Sequence, residues 1–250
     1  MGTIIMATLG KKSATVITNN TWLVATVEKI SIESPMVKSY FFRMPQPVNH
    51  LAGQHYELRL TAENGYQAAR LYSAAAASDG STLLQLSIMD VVDGEVSPYI
   101  FKQLKVGDEV EIRGPFGKYF VWSPEETRPI LLVGGGSGVV PMHSMLSSHQ
   151  KSGTTTPMKL LYSARHYDDI LFKDDFLSSD DVTITLTQEQ SKDWTGNTGR
   201  INSEMLSKVL EGLTSPLCYI CGMSPFVDAV SNGLIELGVA SENIKTERFG

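Results

Sequence analysis

The sequence predicts two domains: an antiparallel β-sandwich or barrel over residues 22–124, then an α/β domain with a parallel sheet over residues 125–250. Three observations carry this. Short strand-forming runs recur through the first half with Gly, Asn and Asp between them. Strands alternate with helical stretches through the second half. The polar stretch Trp122-Ser123-Pro124-Glu125-Glu126-Thr127 separates the two patterns.

In the first half, residues 22–27, 36–43, 55–61, 69–76, 83–90 and 109–114 read as strands, with a Ser-Pro turn after the first. One helix interrupts them at 97–104. Ser97 as N-cap and Pro98 at the first helical position specify its start. In the second half, 129–134, 158–164, 182–187, 216–222 and 243–249 read as strands, and 139–150, 168–177, 201–213 and 225–238 as helices. That alternation implies a parallel sheet covered on both faces. Residues 194–200 read as a turn before a helix.

Composition narrows the function classes. With 42% hydrophobic residues in 250, the chain has enough apolar material for two cores. A net charge of −6 argues against a nucleic-acid binder, which needs concentrated Lys and Arg. No apolar run approaches the roughly 18 residues of a membrane span. Residues 1–21 lack a basic start followed by an apolar stretch. They are expected to form a polar, mobile extension and not a secretory leader. A reducing, cytoplasmic setting is the expectation.

The two cysteines, Cys218 and Cys221, exclude a disulfide framework and a four-cysteine iron–sulfur cluster on this chain. Their Cys-x-x-Cys spacing suggests redox or zinc chemistry, but it falls on a short apolar strand. Positions three apart on a strand face opposite sides. Cys218 therefore reads as packing. Cys221 ends its strand, at the sheet edge where α/β proteins place their chemistry. The histidines (His50, His55, His143, His149, His166) show no metal-ligand spacing and read as structural or surface residues, so no metal site is expected.

The stretch LLVGGGSGVVP (131–141) joins a buried strand to a helix through four glycines. Such a loop lets backbone approach a pyrophosphate, and the helix N-terminus that follows favours phosphate. Pro141 stands where the usual Gly-x-Gly-x-x-Gly fingerprint has its last glycine, so a tight turn in a nucleotide-free domain is the competing reading.

Six motifs then occur in one order: Arg70-Leu71-Tyr72-Ser73, Gly94-Glu95-Val96-Ser97, Gly114-Pro115-Phe116-Gly117, Gly134 to Pro141, Cys221-Gly222 and Glu247-Arg248-Phe249. In these the chain, from about residue 22 to 250, resembles the ferredoxin–NAD(P)H reductase superfamily of flavoprotein oxidoreductases. The resemblance implies an FAD-binding antiparallel β-barrel followed by a pyridine-nucleotide domain. By it, Arg70 pairs with the FAD pyrophosphate, Tyr72 lies against the flavin, and Ser73 bonds near N5. Gly94, Glu95, Val96 and Ser97 hold FAD phosphate, and Ile88, Met89 and Asp90 lie beneath the ring or ribityl chain. Leu71 and the C-terminal Phe249 complete the FAD set. Gly135, Gly136, Ser137, Gly138, Arg165, Thr187, Gln188, Cys221, Gly222 and Met223 are implied to bind NAD(P)H. Ser73, Cys221 and Glu247 are the implied catalytic group, with Cys221 beside the nicotinamide and not performing thiol redox.

The implied reaction is hydride transfer from nicotinamide C4 to flavin N5, then passage of electrons to a separate acceptor, ferredoxin-like or an oxidoreductase component. Members that use NADPH often place Ser-Arg after the third strand. Here Thr187-Gln188-Glu189 offers a carboxylate instead, which favours NADH, while Arg165 offers a compensating charge. Met223 and Phe226 depart from the family's usual Pro and smaller residue. Two other functions compete: a reductase of freely diffusing flavin, opposed by the phosphate grip of 94–97, and a nucleotide-sensing subunit without turnover.

Overall fold

A computed structural model describes residues 20–189 and 193–249; most of the expected N-terminal extension, residues 1–19, lies outside them. The first sheet contains β1 (Leu23–Ser34), β2 (Val37–Arg43), β3 (His55–Thr61), β4 (Gln67–Ser73), β5 (Leu83–Met89) and β6 (Glu109–Phe116), in the order β4-β3-β6-β1-β2-β5. Its pairings are antiparallel. A bridge between Ala74 and Leu86, with Ala75 N–H donating to Gln85 O at 2.9 Å, brings the two edge strands together. The sheet is therefore a barrel. Alternate residues point inward, so Tyr40, Phe42, Leu58, Leu84, Leu86, Ile88 and Ile112 are fully buried in one cluster. Each such side chain contributes roughly 1.5–3 kcal/mol.

β1 runs further than its sequence pattern suggests. Register shifts at Val27/Lys29 and Ile32/Ser34 mark bulges, and a bulge interrupts the two-residue alternation by which a strand is recognised. α1 (Ser97–Gln103) corrects the expected cap: Val96 is the N-cap, Ser97 is the first helical residue, and no side chain caps the helix. Ser97 Oγ instead accepts from Val91 N–H at 3.4 Å.

The second sheet is parallel throughout: β7 (Ile130–Gly135), β8 (Met158–Ala164), β9 (Val182–Leu186), β10 (Asn197–Thr198), β11 (Leu217–Met223) and β12 (Ile244–Phe249), in the order β10-β9-β8-β7-β11-β12. α2 (Val140–Ser152) and α3 (Lys173–Leu177) cover one face, and α4 (Ser203–Leu210) and α5 (Ser224–Glu236) the other. α5 faces the sheet through Val227, Val230 and Leu234, spaced three and four apart. Asn202 starts α4 by accepting from Met205 N–H at 2.9 Å. The expected turn at 194–200 contains β10, a two-residue edge strand.

The helix expected at 168–177 is reduced to a 3-10 turn (Tyr167–Asp169) and the short α3. Between them Phe172 takes a left-handed φ of 50°. Ile170, Leu171 and Phe172 all enter the core at the domain junction, which a continuous helix would not permit. That core joins Val37, Ala52, Ala75, Phe120 and Trp122 of the barrel to α2, α3 and one sheet face. Tyr219 Oη reinforces it by donating to Val121 O at 2.7 Å. Among the described residues no helix is long and apolar enough to cross a membrane.

Candidate functional site

The parallel sheet has its topological switch between β7 and β11, where the chain proceeds outward from β7 on one side and returns beside it on the other. Crevices at such a point, at the carboxyl ends of the strands, are where α/β proteins bind ligands. β7 leads there into a 3-10 turn (Gly136–Val139) and then α2. The turn packs directly on the end of β11: a Cβ on Gly138 would lie 2.2 Å from Cys221 O. Gly136 sits at φ 55° with open space around it. On the α5 side, the Phe226 ring fills the space that a Cβ on Gly135 or Gly222 would need, with closest approaches of 2.9 and 2.8 Å. These two glycines thus make room for an aromatic ring at the crevice wall.

β12 lies beside β11 in register, placing Cys221 opposite Glu247 and Met223 opposite Phe249. Cys218 and Cys221 fall in different core clusters on opposite sheet faces, as strand geometry requires. Both thiols are free and wholly buried. Burial pushes Cys218 up to about 12. Burial, and then the charge of Glu247, raises Cys221 well above the ordinary thiol range. A thiol held protonated in this way is a poor nucleophile and a poor redox centre. Glu247 itself is raised to about 7 by burial, so at the crevice edge a carboxyl titrates near neutral pH.

On the barrel side, Arg70 and Leu71 stand exposed on β4, while Ser73 at its end is buried. Arg70 pairs with Glu95 at 3.3 Å and also donates to Ala69 O at 2.7 Å. Gly94 lies against Ser97, a Cβ there meeting Ser97 Oγ at 3.1 Å. Met89 is exposed, and Asp90 pairs with Lys102 at 3.6 Å. Ile88 differs from its neighbours: its side chain points into the barrel interior, and it presents only backbone outward.

The Tyr72 hydroxyl is buried and has no hydrogen-bond partner among the described residues. Burial holds it at about 12, so it remains a donor. An orphaned donor next to an exposed guanidinium fits a polar, phosphate-bearing cofactor such as FAD lying along β4.

At the outer strand ends, Gln188 N–H donates to Arg165 O at 2.9 Å and Thr187 N–H to Ala164 O at 3.0 Å. Arg165, Thr187 and Gln188, all implied to bind the coenzyme, are thereby brought together. Glu189 joins them by accepting from Tyr167 N–H at 2.7 Å. Reasoning from sequence marked Phe226 as a departure from the family pattern but not as the ring packed on Gly135 and Gly222, and it missed His55 directly across the barrel sheet from Ser73 and His143 at the domain junction. Each owes its place to a contact far from it in sequence, or across a strand pair, that no local pattern signals.

Known proteins resemble the chain along both halves. Residues 24–121 match the family model for the oxidoreductase FAD-binding domain, and 132–232 that for the oxidoreductase NAD-binding domain. The chain is 30% identical over 234 residues to ferredoxin–NADP reductase B of Sorangium cellulosum, covering 89% of this chain and 91% of the relative. It is 26% identical over 232 residues to the phenol hydroxylase P5 protein of Acinetobacter pittii, covering 90% of this chain but only 65% of that longer protein. Among solved structures, the FAD/NAD-binding domain of nitric oxide dioxygenase from Vibrio cholerae superposes with a TM-score of 0.79 at 25% identity, over 91% of this chain and 98% of that one. With both domains matched in order and a relative followed along nearly its whole length, the chain belongs to the ferredoxin–NAD(P) reductase superfamily.

Proposed function

We propose that the chain is an FAD-dependent NAD(P)H oxidoreductase working as a reductase component, divided near residues 124 and 125 into an FAD-binding barrel and a nicotinamide-binding α/β domain. The observation that carries this is a continuous junction. The strand bearing Arg70, Tyr72 and Ser73 and the crevice bearing Gly138 and Cys221 both border one buried cluster, through Ala75 and Cys221. When bound, FAD supplies a two-electron acceptor at N5 for the hydride that leaves nicotinamide C4.

The chain's own residues do the binding and placing. Arg70, paired with Glu95 here, would hold the pyrophosphate, which suits a planar guanidinium. Gly94 to Ser97 hold phosphate from the neighbouring loop. Tyr72 and Phe249 would flank the flavin, and Ser73 would donate a hydrogen bond to it. The turn at Gly135, Gly136, Ser137 and Gly138 receives the coenzyme phosphates, and Cys221, Gly222 and Met223 close the crevice around the nicotinamide. Glu247, titrating near neutral pH, holds or releases a proton beside the reacting atoms.

We favour NADH. The Glu189 carboxylate is anchored at the end of β8, where a 2′-phosphate would be repelled. Arg165 is exposed at the same strand end. A large kcat/KM preference for NADPH would reverse this choice. The acceptor is a separate protein, in keeping with a relative named for ferredoxin, and the setting is cytoplasmic.

The test is an absorbance spectrum of the purified protein before and after anaerobic addition of NADH. A retained flavin whose visible band bleaches supports the proposal. Colourless protein that takes FMN as readily as FAD would make it a reductase of free flavin, and coenzyme binding without bleaching would make it a sensor.

A further inference from the structure

α2 begins where the glycine turn ends, and it lies against the segment that continues from Ser73. Three side chains on one face of α2 bond the backbone of that segment. His143 Nδ1–H donates to Ala75 O at 2.5 Å, Ser144 Oγ donates to Ala76 O at 3.1 Å, and Ser147 Oγ accepts from Ala77 N–H at 3.0 Å. Residues 74–77 are all alanine, so only backbone groups are available to fix the segment's position.

His143 is the stiffest of these contacts. It is 8% exposed, and its ring lies face to face on Phe172, with centroids 3.8 Å apart and planes at 7°. Its second nitrogen, Nε2, faces Asp175 Oδ2 at 2.9 Å. A carbonyl only accepts, and Asp175 is held below the usual carboxylate range chiefly by this bond. Both ring nitrogens are therefore engaged at once, Nδ1 by a main-chain carbonyl and Nε2 by a carboxylate. A ring bonded at both ends and stacked on one face has no freedom to rotate, unlike the serine hydroxyls. The ring is also tied back to the barrel a second time, since Phe172 N–H donates to Glu33 Oε2 of β1 at 3.3 Å.

We infer that His143 is a positioning residue, which sets the spacing between the flavin strand and the coenzyme crevice by locking α2 to Ala75. The inference rests on the hydride-transfer function proposed above. Hydride transfer requires near-contact of donor and acceptor, and a misplacement of about 1 Å costs on the order of 100-fold in rate. One helix carries the coenzyme turn at its start and the flavin-strand contact at its fourth residue, so any tilt of α2 changes that spacing directly. Asp175 and Phe172 act on the ring, not on the ligands.

Two measurements on the FAD-loaded protein test this, using His143→Ala, His143→Asn and His143→Gln. Stopped-flow reduction by NADH should show a limiting rate about 10–100-fold lower in His143→Ala, with FAD content and the coenzyme dissociation constant within about twofold of wild type by the same reasoning. His143→Asn, whose amide can reach Ala75 O, should recover more of the rate than His143→Gln. Hydrogen exchange read by mass spectrometry should show residues 74–77 exchanging faster in His143→Ala. A limiting rate unchanged in His143→Ala overturns the inference. So does a loss shared equally by all three variants and matched by lost coenzyme affinity, which would make His143 a folding residue. If wild-type protein is reduced by neither NADH nor NADPH, the hydride-transfer function fails, and the exchange result alone decides whether His143 holds residues 74–77.

Discussion

The two halves of the molecule present the residues proposed to face ligands in opposite ways. Along the barrel, Arg70, Leu71, Met89 and Glu95 stand exposed on strands and loops. At the parallel sheet, Gly138, Cys221 and Gly222 are buried, and the crevice is formed by backbone packed against backbone. A site made of side chains remains open until a large cofactor covers it. A site made of main chain is complete before its ligand arrives, because glycines leave nothing to rearrange. The barrel should therefore tolerate substitution in fold but lose ligand, whereas a side chain added at the crevice glycines should cost fold and ligand together.

The sharpest test of that contrast is Gly138→Ala. The new methyl would sit 2.2 Å from the carbonyl oxygen of Cys221, a main-chain atom that cannot swing away. A loss of about 3 kcal/mol in unfolding free energy is expected from such overpacking, measurable by urea denaturation. Wild-type stability in this variant would show that the crevice yields after all.

Next in size is Arg70→Ala. The charge-assisted bond it removes is worth about 1.5–3 kcal/mol, so FAD should bind roughly 10–100-fold more weakly while the thermal midpoint of the apoprotein hardly moves. Arg70→Lys should recover only part of the affinity, since an ammonium lacks the planar fork.

Glu247→Gln comes third and concerns pH. The native carboxyl is raised to about 7 from an ordinary 4.5. Between those values the folded state binds the proton more tightly than the unfolded one, so stability falls as pH rises through that window and is flat beyond it. Allowing for partial exposure, the slope should amount to about 2 kcal/mol across the window. It should vanish in the Gln variant when denaturation is followed from acid to neutral pH.

Gly136→Ala is the smallest of the four and serves as a control. The residue has φ 55° but nothing within 4 Å of a Cβ. Only the conformational penalty of about 1–2 kcal/mol applies. An effect as large as that of Gly138→Ala would mean that strain, not contact, governs the turn.

The same contrast explains what could be read from the sequence. Glycine clusters and apolar strand runs are local signals, so the glycine turn, β7, β8, β11 and the place of Cys221 at the end of its strand were legible from short stretches, whereas the register that sets Cys221 opposite Glu247 was not. Arg70 to Ser73 was legible as a motif, but its openness to solvent was not. Phe226 was legible as a departure from the family pattern, but its packing on Gly135 and Gly222 was not, because those glycines lie on separate strands. His143 escaped because Ala75 is 68 positions away. The helix expected at 168–177 failed for the same reason: the left-handed turn at Phe172 serves contacts with His143 and Glu33, which no local periodicity encodes.

Single-turnover reduction of the FAD-loaded protein by NADH, compared between wild type and Cys221→Ala, tests the joined site most directly. The flavin band should bleach in wild type, with a primary isotope effect from NADH deuterated at C4. The variant should keep its FAD and bleach at least about 10-fold more slowly, as loss of alignment predicts. An unchanged rate in Cys221→Ala, or bleaching with no isotope effect at a chemistry-limited rate, would contradict a hydride passing at this crevice.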